Sequence, residues 1–343
     1  MGWDVAGLGN ALIDALVVLE DNALIEELGL VRGTMHPVDH KRWQQVYERV
    51  RHREVTFDSG GSCANSIATC GLLGARAIYC GQVGRDRMGE MYAARMEEAC
   101  GSHALQYSEV GHTGKCLSII NGDDAERTML TDLGVAITLP HVGEFAKVLQ
   151  DTRIAHFTGY TFLDSSMRRV VLEAMGVAHA AGALISIDAA DPFVVMQAKE
   201  TVWKLLEEYA ALVFLNADEA RMLTGRAPRE AVEAIVERTG VKTVVVKMGA
   251  QGSLVCRAGE CCRMGIRRVN AIDTTGAGDA YAGGFLYGLV QGWEIEKCAQ
   301  LATLVASLTV AQVGAVVKDR KLLADALREV LEGRTETLAR VAS

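Results

Sequence analysis

Only four prolines punctuate the 343 residues, and no low-complexity tract separates one part of the chain from another, which argues against disorder and against a long inter-domain linker. Positive charge is also in short supply. Lys and Arg total 35 against 43 Asp and Glu, and the net charge of -8 speaks against non-specific nucleic-acid binding. No CxxC pair occurs among the nine cysteines, and the adjacent Cys261 and Cys262 suit neither a zinc site nor an ordinary disulfide framework. An odd count with no signal-peptide pattern predicts reduced thiols in a cytoplasmic protein. His36 and His40 have i,i+4 spacing, but Pro37 between them breaks the helix that such a metal pair would need. Residues 298–317 carry no charge, yet Gln300, Thr303, Ser307, Thr309, Gln312 and Gly314 interrupt them, so a buried helix and its exit are expected rather than a membrane span.

Half of the residues are hydrophobic, enough to bury a sizeable core in one large α/β unit with an accessory piece. The run Asp273-Thr-Thr-Gly-Ala-Gly-Asp-Ala-Tyr-Ala-Gly-Gly284 dominates the reading. Val269 and Ile272 before it suggest a short strand over 267–272; Phe285, Leu286, Leu289 and Val290 after it recur at helical spacing. Glycines that open a helix present bare N–H donors and a favourable dipole to an anion, most often a phosphate. Asp279 in that first turn is out of place in a pure phosphate cradle. A carboxylate beside phosphate-binding amides suits phosphoryl transfer, with the acid as base, although a helix-start acid also complements the dipole without any chemistry.

Earlier in the chain, a strand ends in Gly7-Leu-Gly-Asn10, but Leu12 stands where a dinucleotide-binding GxGxxG needs its third glycine. Asp14 is the one charge in an apolar stretch, hence a solvated edge or a group for substrate hydroxyls. Ser59-Gly60-Gly61-Ser62-Cys63-Ala64-Asn65 is a second glycine turn into a helix, with Asn65 open to a plain capping role. Residues 113–120 and 127–131 flank Asn121-Gly122-Asp123, which is hairpin chemistry. From Ile154 onward, β-rich runs at 154–157, 183–187, 212–215 and 243–246 alternate with helical stretches at 167–181, 201–209 and 230–239. Such alternation predicts a doubly wound, mostly parallel sheet flanked by helices, with ligands at the C-terminal strand ends.

The run at 273–284, together with Gly60-Gly61-x-x-x-Asn65 and Gly81-Gln-Val-Gly84-Arg-Asp86-Arg-Met-Gly89, resembles the signatures of the ribokinase/adenosine kinase (PfkB-type) family of carbohydrate and nucleoside kinases. The resemblance spans nearly the whole chain. It implies a ribokinase-like fold in which a small β-sheet lid, here roughly 12–19, 33–39, 113–120 and 127–133, closes over the substrate. It further implies ATP as donor, Mg2+ on its phosphates, and transfer of the γ-phosphoryl group to a primary alcohol. Asp279 would be the catalytic base, with Gly276, Ala277 and Gly278 receiving the phosphoryl charge. Asp14, Gly60, Gly61 and Asn65 would bind the acceptor. Lys247, Gly249 and Gly252 lie in a stretch that resembles the family's nucleotide-phosphate loop.

Asn216-Ala-Asp-Glu219 matches the family's Asn-x-x-Glu pattern for magnesium and phosphate, and fits a helix N-cap with a helix-start acid equally well. Arg127 is either a lid arginine that swings over the phosphoryl group or an exposed surface arginine. Asp273 and Thr275 match positions that help hold K+ in some relatives. Typical sugar kinases of the family carry Asp-x-Asn-x-Arg where this chain has Asp188-Ala-Ala-Asp191-Pro192-Phe193. That departure, with Gly159-Tyr160 and the run 127–134, looks more like the adenosine kinase branch. Adenosine at its 5′-hydroxyl is therefore the expected acceptor, with a ribose-, fructose- or 2-keto-3-deoxygluconate-type sugar next. A non-catalytic nucleotide or sugar sensor on the same fold is the alternative of another class. A homodimer could form through the lid edges.

Overall fold

A computed structural model describes residues 2–122 and 126–334. Runs such as Val244-Val-Val246 and Ile185-Ser-Ile187 are β-branched and buried, the pattern of strands covered on both faces. They assemble an eight-stranded sheet in the order Glu260–Met264, Ser253–Arg257, Thr243–Lys247, Ala210–Asn216, Leu184–Asp188, Thr152–Thr158, Trp3–Leu8, Ala77–Cys80. From Thr243–Lys247 to Ala77–Cys80 all pairings are parallel, and the hairpin 253–264 closes one edge antiparallel. Two hydrophobic layers cover the two faces. The helices Ser62–Leu72, Ala277–Val290 and Ile295–Val310 lie in one, and Ser165–Ala180, Pro192–Glu208 and Pro228–Thr239 in the other.

The alternating strands and helices expected between residues 154 and 246 are all present, with shifted ends. The helix expected at 201–209 starts at Pro192, where Asp191 caps it by accepting a bond from the Phe193 amide at 2.7 Å. A non-helical residue, Ala198, bends it midway, which hid the first half from a periodicity reading. The strand expected over 267–272 does not form. Those residues run irregularly beside the end of the helix Ile295–Val310, with the Ile272 amide donating to the Val310 carbonyl, and Val269 and Ile272 stay partly exposed. Apolar alternation there found no neighbouring strand to pair with. The cysteines bring another correction. Cys256 and Cys261 are directly opposed in the edge hairpin and form a disulfide, so uniformly reduced thiols do not describe this chain. The adjacency of Cys261 and Cys262 had drawn attention away from that cross-strand pairing.

A second, five-stranded sheet has the order Met35–Pro37, Arg127–Asp132, Gly114–Asn121, Leu12–Leu19, Val55–Gly60. The last strand, Val55–Gly60, is an edge strand that no sequence motif marks as a strand. Asp123 of the hairpin turn lies outside the described residues. Strand alternation gives this sheet two different faces. Ala15, Val17, Leu19, Leu117, Ile119 and Leu130 point outward and are covered by the helices Ala23–Glu27 and His40–Val50 through Ile25, Trp43, Val46 and Val50. Asp14, Leu16, Val18, Cys116, Ser118, Ile120, Arg127, Met129 and Thr131 therefore point inward, toward the large sheet's C-terminal strand ends.

Phe285 joins the helix 277–290 to the large sheet, edge-on to Phe214 with ring centroids 5.6 Å apart. It is completely buried. Phe285→Ala is expected to cost about 3–5 kcal/mol, read as a lower urea midpoint with an unchanged m-value.

Candidate active site

The glycine run does start a helix, Ala277–Val290, with Gly276 at its N-cap in the left-handed region (φ 70°). A Cβ there would also stand 2.4 Å from Ala315 Cβ, so this turn requires glycine. The Ala277 amide donates to the Thr274 carbonyl at 3.3 Å, and the first-turn amides have no acceptor inside the helix, which leaves those of Gly278 and Asp279 available to an anion. Asp273, just before the turn, is buried. Its Oδ1 accepts from the Thr275 amide at 2.8 Å and from the Thr275 hydroxyl, and its Oδ2 accepts from the Gly314 amide at 2.9 Å. Asp273 and Thr275 thus tie the anion-binding loop to the segment after residue 310.

Asp279 sits at the third helical position with its carboxylate held from across the molecule. Ser62 Oγ donates to Oδ1 at 2.6 Å and Asn65 Nδ2 donates to Oδ2 at 2.8 Å. Both donors belong to the helix opened by Gly60-Gly61, so the two glycine turns meet at one carboxylate. Ser62 is a site residue that the motif contained but to which no role had been given; its place one residue after the glycine pair was the available signal. Asn65 touches the Asp279 carboxylate itself. Burial pushes the Asp279 carboxyl up to about 6, against the opposing pull of the Ser62 and Asn65 bonds.

Asp14 and Gly60 also meet: a Cβ on Gly60 would stand 2.2 Å from Asp14 Oδ2. Gly61, at the N-cap of the helix 62–72, has φ 93°. Burial and then the neighbouring Asp58 charge raise the Asp14 carboxyl to about 7, while Arg127 opposes and Asp279 adds to the rise. Arg127 thus faces Asp14 and the cleft from the inward side of the small sheet. Asp58 is itself paired with Lys318 at 2.6 Å.

On the other side of the anion-binding turn lies a group of charges at three adjacent strand ends. Lys247 Nζ donates to Asp188 Oδ2 at 2.7 Å, and a Cβ added at Gly278 would be 3.2 Å from that ammonium. The ammonium therefore lies beside the amides of the turn. Gly249 and Gly252 bound the turn that follows Lys247. Asp188, the first residue of the run that departs from the sugar-kinase pattern, is the partner that holds Lys247. Asn216 and Glu219 form a complete capping box: the Glu219 amide donates to Asn216 Oδ1 at 2.8 Å and the Asn216 amide donates to Glu219 Oε2 at 2.7 Å. The capping reading is thus correct as local structure. Glu219 is buried, and desolvation lifts its carboxyl to about 8 despite the Lys247 charge. Tyr160 donates to Asp191 Oδ2 at 3.1 Å, and burial raises its phenol well above its usual range, helped by the Asp191 and Asp279 charges.

Bare helix-start amides, an ammonium beside them and a poised carboxylate facing a cleft define a phosphotransferase with an alcohol group as acceptor. The chain belongs to the pfkB family of carbohydrate kinases, whose model matches residues 33–321. It is 26% identical over 332 residues to an adenosine kinase of Schizophyllum commune, covering 90% of this chain and 94% of that protein. It is also 26% identical over 319 residues to a 5-dehydro-2-deoxygluconokinase of Shouchella clausii, covering 90% of each. The crystal structure of adenosine kinase from Sinorhizobium meliloti superposes with a TM-score of 0.88 at 29% identity, over 96% of this chain and 99% of that one. The ribokinase-like α/β fold follows. Among the described residues no helix is long and apolar enough to cross a membrane.

Asp14, Glu219 and Asp279 all have pKa values raised above those of an unfolded chain, so the folded state holds extra protons and loses stability as pH rises from about 4 toward 6–8. Asp279→Asn removes one such contribution. Relative to wild type, the variant should gain about 1.5 kcal/mol between pH 5 and pH 8, measured by urea unfolding at both pH values.

Proposed function

We propose that this chain transfers the γ-phosphoryl group of ATP to the 5′-hydroxyl of a nucleoside, adenosine before others. The observation that carries the nucleoside reading is the inward face of the small sheet. Leu16, Val18, Ile120 and Met129 give it apolar positions suited to a planar base, interleaved with Ser118 and Thr131 and next to Asp14 and Arg127, which suit ribose hydroxyls and phosphate. Tyr160, which feels the charges of Asp279 and Arg127, adds an aromatic group on the facing side. A free sugar would call for polar groups over more of that surface. Similarity to adenosine kinases supports the same choice, and similarity to a 5-dehydro-2-deoxygluconokinase keeps a sugar acceptor as the second reading.

In this mechanism Asp14, Gly60 and Gly61 fix the acceptor so that its primary hydroxyl faces Asp279. Asp279, held by Ser62 and Asn65, accepts the hydroxyl proton as the oxygen bonds to the γ-phosphorus and the bond to the β-phosphate oxygen breaks. The amides around Gly276, Ala277 and Gly278, with the Lys247 ammonium beside them, receive the negative charge of the transferring group. Arg127 completes the enclosure when the small sheet, acting as a lid over 12–19, 35–37, 55–60, 114–121 and 127–132, closes and excludes water. Magnesium, held through water by Asn216 and Glu219, would supply positive charge to the phosphates. Asn216 and Glu219 fit its hydration shell, since their side chains already bond one another and direct ligation would break that cap. Asp273 accepts three bonds from Thr275 and Gly314, a set that fits a loop anchor, and no step of the proposed reaction depends on potassium.

The net charge supports small-molecule substrates rather than nucleic acid, and seven unpaired cysteines and the need for ATP support a cytoplasmic location. The outer face of the small sheet is covered by the chain's own helices, so a homodimer would use the sheet edges.

The test is ADP release from ATP and Mg2+ with a panel of nucleosides and sugars. Adenosine should give the highest kcat/KM, and Asp279→Asn should lower kcat by about 10²–10⁴. No acceptor turning over above the Asp279→Asn control would overturn the kinase reading. Ribose or fructose turning over much faster than adenosine would overturn only the nucleoside reading. A second measurement probes the base: kcat should fall as pH drops through about 6 because Asp279 then carries a proton.

A further inference from the structure

On the outer side of the small sheet, the face turned away from the cleft, three metal-ligating side chains converge. His40 begins the helix His40–Val50, His112 lies in the loop before the strand Gly114–Asn121, and Asp132 ends the strand Arg127–Asp132. Asp132 Oδ2 lies 2.8 Å from His112 Nε2 and 3.2 Å from His40 Nδ1, and the three ligand atoms fall within 4.8 Å of one another. The two imidazoles stack with centroids 4.1 Å apart. Both rings are partly exposed, while Asp132 is buried and its Oδ1 is fixed by the Gly134 amide at 3.2 Å. None of this serves the proposed reaction. His36, the partner that sequence spacing offered to His40, instead bonds Thr34 and Val31.

We propose that His40, His112 and Asp132 form a zinc-class transition-metal site that clamps the helix covering the lid to the base of the lid sheet. Two imidazoles and one carboxylate are a borderline-soft donor set typical of zinc with one position left open. Metal–ligand bonds of about 2.0–2.2 Å in a tetrahedron put ligand atoms about 3.4 Å apart. The present separations come near that, so small rotamer changes suffice.

One internal cation already competes for this space. Lys115 Nζ lies 2.8 Å from His40 Nδ1 and 3.6 Å from Asp132 Oδ2, with its ammonium 4.7 Å from the centre of the Trp43 ring. The arrangement shows that the pocket favours positive charge, and it makes lysine and metal alternatives. A bound ion must move the ammonium aside, so wild-type affinity is limited by Lys115 and not by the ligands.

Isothermal titration of the full chain with zinc chloride tests this, with thermal unfolding as an independent readout. One ion should bind per chain and raise the Tm. His112→Ala, at a partly exposed position, and Asp132→Asn should each weaken binding at least tenfold with the fold intact by circular dichroism. Lys115→Met should tighten it by about tenfold, because it removes a competing unit charge a few ångström away. Absence of zinc binding in both wild type and Lys115→Met would overturn the proposal. So would binding that His112→Ala and Asp132→Asn leave unchanged, which would place the ion on the cysteines or on the cleft acids. Kinase turnover of the wild type without zinc bears on the reaction alone, so the two proposals fail separately.

Discussion

The site depends on keeping one carboxylate, that of Asp279, buried at the start of a helix yet still able to ionise. Helix-start amides and the Ser62 and Asn65 donors favour the anion; lack of water opposes it. The balance leaves a group that is ionised near neutral pH but basic enough to take a proton. It holds only if the helices 62–72 and 277–290 approach closely. Gly283 permits this, since a Cβ there would stand 2.6 Å from Thr69 Cβ and 2.7 Å from the Ser66 carbonyl. Cys70 Sγ and Ser66 Oγ donate across the same contact, to the carbonyls of Gly283 and Asp279. Small residues in these helices are therefore what brings the Ser62 and Asn65 donors within reach of Asp279.

Around that carboxylate the remaining charges are arranged in pairs, each with a different degree of relief. Lys247 is matched by Asp188, and Asp58 by Lys318, so neither pair is short of a counter-charge. Asp14 and Glu219 are less well served and stay strongly raised by burial. Those are the two acids whose proposed partners, ribose hydroxyls and a hydrated cation, arrive with the substrates. Incomplete satisfaction in the unliganded protein is what binding would relieve.

Much of this was readable in the sequence wherever a local rule decided the outcome. Strand–helix alternation after residue 154 follows from runs of buried β-branched residues, and both glycine turns open helices because little else suits those backbones. What escaped was long-range or contextual. Apolar residues at 269 and 272 look like a strand until one asks what they would pair with. Cys256 and Cys261 become partners only through hairpin register, and Lys247 finds Asp188 only because two strands are neighbours but one in the sheet. Spacing pointed His40 toward His36, whereas the fold supplies His112 and Asp132 from more than 70 residues away. Asn216 and Glu219 show a different limit: the same two residues make a good cap and a good cation neighbour, and spacing alone does not separate the roles.

The bonds from Ser62 and Asn65 to Asp279 join residues 217 and 214 positions apart. They also bind the helix that follows the small sheet's last edge strand to the helix that follows the large sheet's last hairpin. Closing a loop of that length costs entropy, which the contact offsets only once both helices are in place. The helix 62–72 carries apolar and small polar groups whose neighbour is synthesised more than two hundred residues later. The contact that surrounds the Asp279 carboxylate therefore also ties the first third of the chain to the last.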